Sequence, residues 1–164
     1  MGGLGHVAIQ FARALGAEVT VLSRSMNKKE EALSFGAKNY FATSDPDTFK
    51  TLAGQYDLIL NTVSANINVD AYLSLLRVDG TLVNVGAPPN PDQFHVFSLF
   101  SGRRSIAGSL VGGIQETQEM LDFAAAHKIA PQIEVINASQ VDEAYERVLK
   151  SDVRYRFVID ISTL

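Results

Sequence analysis

The sequence contains no cysteine, and its three histidines, His6, His95 and His127, lie far apart. The absence of cysteine excludes disulfide bonds and thiolate zinc ligands, and it fits a reducing compartment. The scattered histidines form no motif with metal-ligand spacing. His6 falls in the first turn of a predicted helix, where a structural role is favoured over catalysis. His95 and His127 are interpreted as surface residues.

Long apolar runs and basic tracts are also missing. No run of about 18 apolar residues exists, and the first residues lack the charged and apolar regions of a signal peptide, so neither a membrane span nor a leader is indicated. The net charge is −4 with a pI near 5.3, which disfavours a nucleic acid or an anionic membrane as partner. We therefore expect a soluble, cytoplasmic protein with one sizeable core.

The glycine-rich opening, "MGGLG", runs directly into a helical pattern. A dinucleotide-binding turn has the form Gly-x-Gly-x-x-Gly between a strand and a helix, because the backbone must turn sharply and approach a pyrophosphate. Gly2 and Gly5 match the second and third glycines, with Gly3 and Leu4 between them. The first glycine and its strand are missing, and Met1 stands where the first variable residue would be. The alternative is a flexible start to a surface helix.

Helix-like and strand-like segments alternate up to about residue 130. The predicted helices cover 5–15, 26–35, 44–54, 68–79 and 114–129, and the predicted strands cover 18–22, 39–43, 56–63, 81–86 and 105–113. Such alternation with short connections predicts an α/β fold, a Rossmann-like doubly wound parallel sheet.

Several segments also allow predictions of burial and of helix caps. Residues 56–63, "YDLILNTV", form the strongest candidate for a buried strand. The helix at 114–129 is predicted to turn one apolar face inward, with Met120, Leu121, Phe123 and Ala124 on it. The predicted N-caps are Ser25, Ser44 and Ser139.

Beyond Pro131 the pattern changes to strand, helix, strand. Residues 132–136 and 155–161 are strand-like, with a helix at 139–152 between them. These strands could extend the main sheet or belong to another layer. We therefore divide the chain into a dinucleotide-binding domain, residues 1–130, and a C-terminal segment, residues 131–164.

The strand at 18–22 is followed by residues that favour NADP over NAD. A bound dinucleotide places its adenosine ribose about 20 residues after the glycines, and an NAD site carries Asp or Glu there. Hydroxyl, guanidinium and ammonium groups would instead bind a 2′-phosphate through charge-assisted hydrogen bonds. The candidates are Ser23, Arg24, Ser25, Lys28 and Lys29. The alternative is that Ser25 only caps a helix and that the lysines lie on a solvated helix face.

Three further stretches lie where predicted strands end, at the edge of an open α/β sheet where ligands bind. In a nicotinamide enzyme such positions touch the cofactor mainly through backbone groups. They are Thr62 with Val63, Val85 with Gly86 and Ala87, and Gly108 with Ser109. Taken singly, each is an ordinary strand ending.

Other enzyme classes that use this fold lack their signatures here. No tyrosine has a lysine four residues later, as a short-chain dehydrogenase requires. No Gly-x-x-x-x-Gly-Lys loop is present, and no acidic residue follows the strand at 18–22, where a methyltransferase would need one.

The chain resembles the zinc-dependent medium-chain alcohol dehydrogenases, in particular their NADP-dependent cinnamyl-alcohol-dehydrogenase-like branch. The resemblance runs from the first residue to the last. It rests on "GGLGHVAIQFARALGAEVTVLSRSMNKKEEALSFGA", "NTVSANINVDAYLSLLRVDGTLVNVGAP", "GRRSIAGSLVGGIQETQEMLDFAAAHKIAPQIE" and "YRFVIDI". It implies hydride transfer between NADP(H) and an alcohol or aldehyde whose oxygen sits on zinc.

The resemblance also implies roles for individual residues. The pyrophosphate would meet Gly2, Gly3 and Leu4. The 2′-phosphate would meet Ser23, Arg24, Ser25 and Lys28, with Lys29 as the alternative to Lys28. The ribose and nicotinamide would meet Thr62, Gly86, Ser109, Leu110 and Val111, the last three partly on the dimer side.

Members of this family begin with a catalytic domain that holds zinc, and this sequence contains no counterpart of it. We expect an N-terminally truncated cofactor domain followed by the segment that completes the catalytic domain, without catalytic residues or metal ligands and inactive alone. The alternative is a catalytically inactive truncated protein that acts as a dimerising or interaction module.

The missing first strand would lie in the middle of the sheet, between the strands at 18–22 and 56–63. Its absence would leave two edges unpaired. The gap could close by a strand shift or by pairing with another chain, so we expect a homodimer or a higher oligomer through sheet edges.

Overall fold

The computed structural model describes all residues, 1–164, as helices and short strands in alternation. The strands are β1 Thr20–Ser23, β2 Asn39–Ala42, β3 Tyr56–Asn61, β4 Leu76–Asn84, β5 Ser105–Gly108, β6 Glu134–Asn137 and β7 Phe157–Asp160. The α-helices are α1 Gly3–Ala14, α2 Lys29–Ser34, α3 Thr48–Thr51, α4 Val69–Ser74, α5 Phe97–Phe100, α6 Ile114–Ala126 and α7 Val141–Leu149. Short 3₁₀ turns cover Met26–Lys28, Ala138–Gln140 and Ile161–Thr163.

The strands form three separate sheets, with the orders β1-β2, β3-β4-β5 and β6-β7. The pairs β3-β4, β4-β5 and β6-β7 are parallel. Strands β1 and β3 belong to different sheets. The α/β class with parallel strands and the C-terminal strand-helix-strand segment are thus confirmed.

The chain divides into two compact units. Unit 1 combines residues 1–41 with residues 115–164, and unit 2 consists of residues 42–114. This division follows packing and does not bear on the predicted boundary at residue 130. No helix in the structure combines the length and apolar character that a membrane crossing requires.

The core of unit 1 forms between α1, α2 and the sheet of β1 and β2. Its buried members are Ile9, Ala32, Ala37 and Tyr40. The helices α1 and α2 end where glycine follows, because Gly16 and Gly36 adopt positive φ angles of 88° and 108° that other residues rarely adopt. These predicted helix ends are confirmed.

The core of unit 2 lies between α4 and the three-stranded sheet. Val69 and Leu73 of α4 pack on Leu76 and Leu82 of β4, and all four side chains are buried. The helix α4 begins at a capped residue, since the Asn68 side chain accepts a hydrogen bond from the Ala71 N–H.

Two of the three predicted serine caps were wrong, and the third is correct in position only. Ser25 stands at an N-cap position, but its hydroxyl makes no capping bond. Ser44 lies before an Asx turn, in which Asp45 accepts a bond from the Asp47 N–H, and α3 begins only at Thr48. The cap predicted at Ser139 lies instead at Asn137, which forms a capping box.

The helix predicted at 68–79 was too long. It ends at Ser74, because the carbonyl of Leu75 accepts bonds from the N–H groups of Gln55 and Tyr56 and so enters the sheet. Strand β4 therefore begins at Leu76, well before the predicted start at residue 81.

Two predictions of burial were also wrong. In β3, Leu58 and Leu60 are 60% and 45% exposed, because only β4 pairs with this strand and nothing in unit 2 covers their face. In α6, Met120 and Leu121 are exposed, and only Phe123 and Ala124 are partly buried. Phe123 stacks on Phe11 of α1, with 5.8 Å between ring centroids.

Candidate functional site

The glycine turn leads into α1 as the sequence predicts. Gly2 is the extended N-cap residue, and α1 begins at Gly3. The N–H groups of Gly3, Leu4 and Gly5 therefore have no acceptor within the helix. A Cβ built on Gly2 would meet no atom within 4 Å, so this side of the turn is open. Such a turn can receive an anion.

The buried His6 fixes the other side of the turn. Its Nε2 accepts a hydrogen bond from the Gln132 N–H at 3.0 Å, so its Nδ1 carries the proton that faces the Gly2 carbonyl at 3.3 Å. Its ring stacks on Tyr155 at 4.6 Å between centroids. Both nitrogens are thereby used, and His6 has the structural role that was predicted.

Ser23 and Lys28 both contact Met1. The Met1 amino group donates to the Ser23 Oγ at 3.1 Å, and the Lys28 Nζ donates to the Met1 carbonyl at 3.2 Å. One hydroxyl and one ammonium group thus flank the same residue. Arg24 is exposed next to this pair.

Ser25 and Lys29 have other surroundings. The carbonyl of Ser25 accepts a bond from the Tyr40 hydroxyl at 2.8 Å. Lys29 is exposed in the first turn of α2. The structure therefore places Lys28, and not Lys29, in contact with Met1, which Ser23 also contacts.

The C-terminal segment adds a network of ring and charge contacts at Lys28. The Lys28 Nζ lies 5.1 Å from the centroid of the Tyr155 ring. The Tyr155 hydroxyl donates to Glu31, and the Arg154 Nε lies 2.9 Å from a Glu31 oxygen. Burial, followed by the positive charge of Arg154, lowers the pKa of Lys28. Burial and the bond to Glu31 raise the pKa of Tyr155.

In unit 2, a pair of asparagines ties the ends of β3 and β4. The Asn61 Nδ2 donates to the Asn84 Oδ1 at 2.9 Å, and the Asn61 Oδ1 accepts from the Val63 N–H at 3.1 Å. The Asn61 carbonyl accepts from the N–H groups of Val85 and Gly86. The backbone at these strand ends is thereby held in place.

Most of the predicted strand-end residues border one open cavity of about 340 Å³. Its lining consists of Asn84, Val85, Gly86, Ala87, Gly108, Ser109 and Leu110. Val63 does not line the cavity but packs against Gly86, because a Cβ on Gly86 would lie 2.3 Å from the Val63 carbonyl oxygen. Thr62 is partly buried next to Val63, and Val111 is 89% exposed, but neither lines the cavity.

Sequence reasoning missed several residues at these places. Asn61 and Asn84 each end a hydrophobic strand. A polar residue at such a position indicates a side chain that binds at the edge of the sheet, and this signal could have been used. Glu31, Arg154 and Tyr155 carry no such signal, because Glu31 meets the other two across more than 120 positions of the chain.

A zinc site was predicted to be absent. The structure contains no group of three or more His, Asp or Glu side chains placed to hold a metal ion, and the sequence has no cysteine.

The chain matches a known protein family and several known proteins. The family model described as zinc-binding dehydrogenase matches residues 3–126. A protein of Bacillus subtilis named "Probable formaldehyde dehydrogenase AdhA" is 79% identical over the whole chain, which covers 47% of that protein. The "NADP-dependent alcohol dehydrogenase C 1" of Mycolicibacterium smegmatis is 58% identical over the same residues and is also covered to 47%.

Solved structures agree with these relatives. A cinnamyl alcohol dehydrogenase from Sorghum bicolor superposes with a TM-score of 0.95 at 42% identity, over 98% of this chain and 46% of that one. A second such enzyme, from Helicobacter pylori and complexed with NADP(H), superposes with a TM-score of 0.88 at 38% identity, over the same shares of the two chains. The chain therefore spans about half the length of the relatives it matches.

Proposed function

Because the chain belongs to the zinc-binding dehydrogenase family, we propose that it is the NADP(H)-binding part of an alcohol dehydrogenase. The reaction would transfer a hydride between the nicotinamide of NADP(H) and an alcohol or aldehyde. The zinc chemistry of the family and the choice of substrate depend on residues that this chain does not contain. The match over 3–126 shows the family.

One observation carries the choice of cofactor. Ser23 and Lys28 lie against Met1, at the start of the glycine turn. A hydroxyl and an ammonium at this place suit a 2′-phosphate, whereas an NAD site carries a carboxylate there. Arg24 can join them from the surface, and Ser25 can contribute its hydroxyl, which makes no capping bond.

The pyrophosphate is assigned to the open turn. Gly2, Gly3, Leu4 and Gly5 offer backbone N–H groups and no side chain that would prevent close approach at Gly2. The helix dipole of α1 favours negative charge at this end.

The ribose and the nicotinamide are assigned to strand-end residues of unit 2. The cavity beside Gly86, Ser109 and Leu110 offers backbone groups that the asparagine pair holds in place. When bound, the nicotinamide supplies the hydride. The role of these residues is to bind and orient that ring.

The proposal is tested by titrating the chain with NADPH and NADH and following nicotinamide fluorescence. We expect NADPH to bind more tightly, by about tenfold or more, because only NADPH offers the phosphate that charged donors recognise. Equal affinity, tighter binding of NADH or no binding of either cofactor would contradict the assignment of NADP.

A second function is favoured by the exposed leucines of β3. Leu58 and Leu60 lie in a strand that is paired on one side only, and such edges pair with other chains. In this alternative the protein is an interaction module without catalytic activity that forms a homodimer. Sedimentation that finds only monomer at all concentrations would contradict it.

A further inference from the structure

The side chain of Lys28 is held at two places. Its Nζ donates to the Met1 carbonyl and lies over the face of the Tyr155 ring, 5.1 Å from the centroid. A lysine side chain is flexible and loses much rotamer freedom when it is fixed, so a second contact reduces the further loss on ligand binding. The ring is such a contact, because its negative face attracts an ammonium group.

Tyr155 is itself fixed from several sides. Its ring stacks on His6 and meets the edge of Phe35 at 5.7 Å between centroids. Its hydroxyl donates to Glu31, and the residue as a whole is only 4% exposed. The ring therefore cannot turn away from Lys28 without breaking these contacts.

Glu31 balances the charge around this ring. It pairs with Arg154, whose guanidinium carbon lies 5.8 Å from the Tyr155 centroid. Without Glu31, the unpaired guanidinium would repel the ammonium of Lys28. Arg154 contributes to the lowered pKa of Lys28, and Glu31 opposes that effect, which agrees with this arrangement.

We propose that Tyr155 is a positioning residue that sets the selectivity for a 2′-phosphorylated adenine nucleotide by holding the Lys28 ammonium at Met1, the residue that Ser23 also contacts. This inference rests on the proposed function, in which Lys28 binds the phosphate. It adds a residue from the C-terminal segment to the determinants of cofactor choice.

The test compares adenosine 2′,5′-bisphosphate with adenosine 5′-monophosphate by calorimetric titration of the full chain. The two probes differ only in the 2′-phosphate, and neither contains the nicotinamide. Tyr155→Leu removes the aromatic face, Tyr155→Phe keeps it, and Lys28→Met removes the ammonium. Circular dichroism checks that each variant is folded.

We expect Tyr155→Leu to reduce the ratio of the two affinities by about tenfold, as loss of a partly desolvated cation–π contact predicts. Tyr155→Phe should leave the ratio within about twofold of the wild type, because the ring remains. In the Lys28→Met background, Tyr155→Leu should no longer change the ratio, since the two residues act through one contact. A purely structural Tyr155 would weaken both probes equally, and an unchanged ratio would overturn the inference.

A second measurement uses the wild-type chain and needs no variant to fold. The ring current of Tyr155 should shift the ε-methylene protons of Lys28 upfield in the NMR spectrum, both free and with the bisphosphate bound. Resonances at unshifted positions in the complex would overturn the inference. If the wild type binds both probes equally, the proposed function fails first, whereas selective binding that survives Tyr155→Leu refutes only the role of Tyr155.

Discussion

At the scale of single residues, Lys28 and Lys29 are neighbours in the sequence but not in environment. Lys28 faces Met1 and the Tyr155 ring, and Lys29 is exposed at the start of α2. The sequence does not predict which of the two lysines reaches Met1. A 3₁₀ turn precedes α2 and changes the direction in which successive side chains point. Contact with Tyr155, far along the chain, could not be read from local pattern.

Replacement of Lys28 by glutamine should weaken NADPH binding by about tenfold and leave NADH binding nearly unchanged, because only the 2′-phosphate loses a charge-assisted bond. Fluorescence titration measures both affinities. Lys29→Gln should reduce NADPH affinity less than Lys28→Gln does. Lys50→Gln, in an exposed lysine of α3, controls for the loss of one positive charge.

His6 should be important for stability. His6→Ala removes a fully buried ring together with its bonds to Gly2 and Gln132, and we expect a loss of about 2–4 kcal/mol in the free energy of unfolding. Urea denaturation followed by circular dichroism measures it. His95→Ala, at an exposed position, should change the free energy by less than about 0.5 kcal/mol. Equal effects of the two substitutions would contradict the role given to His6.

At the scale of elements, the sequence predicts type and order well. The helix ends at Gly16 and Gly36 follow from the backbone freedom of glycine. The alternation of strands and helices follows from the spacing of apolar residues along the sequence. Burial is predicted poorly. A run such as residues 56–63 indicates a strand, but whether both its faces are covered depends on which elements pack there, as exposed Leu58 and Leu60 show.

The candidate site, too, could be predicted from the sequence only in part. Residues at strand ends, such as Gly86 and Ser109, can be found because parallel strands end at one edge of a sheet. They do border one cavity. The asparagine pair that holds this edge connects two strands through side chains, and no single stretch of sequence contains that information.

Gly86 should tolerate no side chain. An added Cβ would lie 2.3 Å from the Val63 carbonyl oxygen and 2.8 Å from its nitrogen, so Gly86→Ala must push the ends of β3 and β4 apart. We expect a loss of about 1–3 kcal/mol, measured by thermal unfolding.

Gly108→Ala is the matched control at the same edge. The nearest atom to its added Cβ is the Asn84 carbonyl oxygen at 3.7 Å, an ordinary contact distance. Its effect should stay within about 0.5 kcal/mol. A Gly86→Ala variant as stable as the Gly108→Ala variant would show that the strand ends are not as close as described.

At the scale of the whole molecule, the stability of the fold depends on pH through a set of carboxyl groups. Four carboxyls have lowered pKa values, namely Asp70, Asp79, Glu134 and Asp160. For Glu134 the main cause is the Arg154 N–H, followed by the Arg147 side chain. A carboxyl whose pKa is lower in the folded state stabilises the fold above its unfolded value. That stability is lost as pH falls through the folded value.

The melting temperature should therefore be nearly constant above about pH 5 and fall below about pH 4. Glu134→Gln should lower it at neutral pH and make its decline in acid less steep, because one linked group is gone. Thermal melts between pH 3 and pH 7 measure this. A parallel decline in the variant and the wild type would contradict the role of Glu134.

Unit 1 is assembled from both ends of the chain, and unit 2 is one continuous stretch. The bonds of His6 to Gln132 and of Glu31 to Tyr155 span 126 and 124 positions. During synthesis, unit 2 can complete its contacts while the ribosome is still producing the residues that unit 1 needs. Helix α1 can pack on α2 and β2 early, but the bond of its His6 to Gln132 forms only after 126 further positions have been translated.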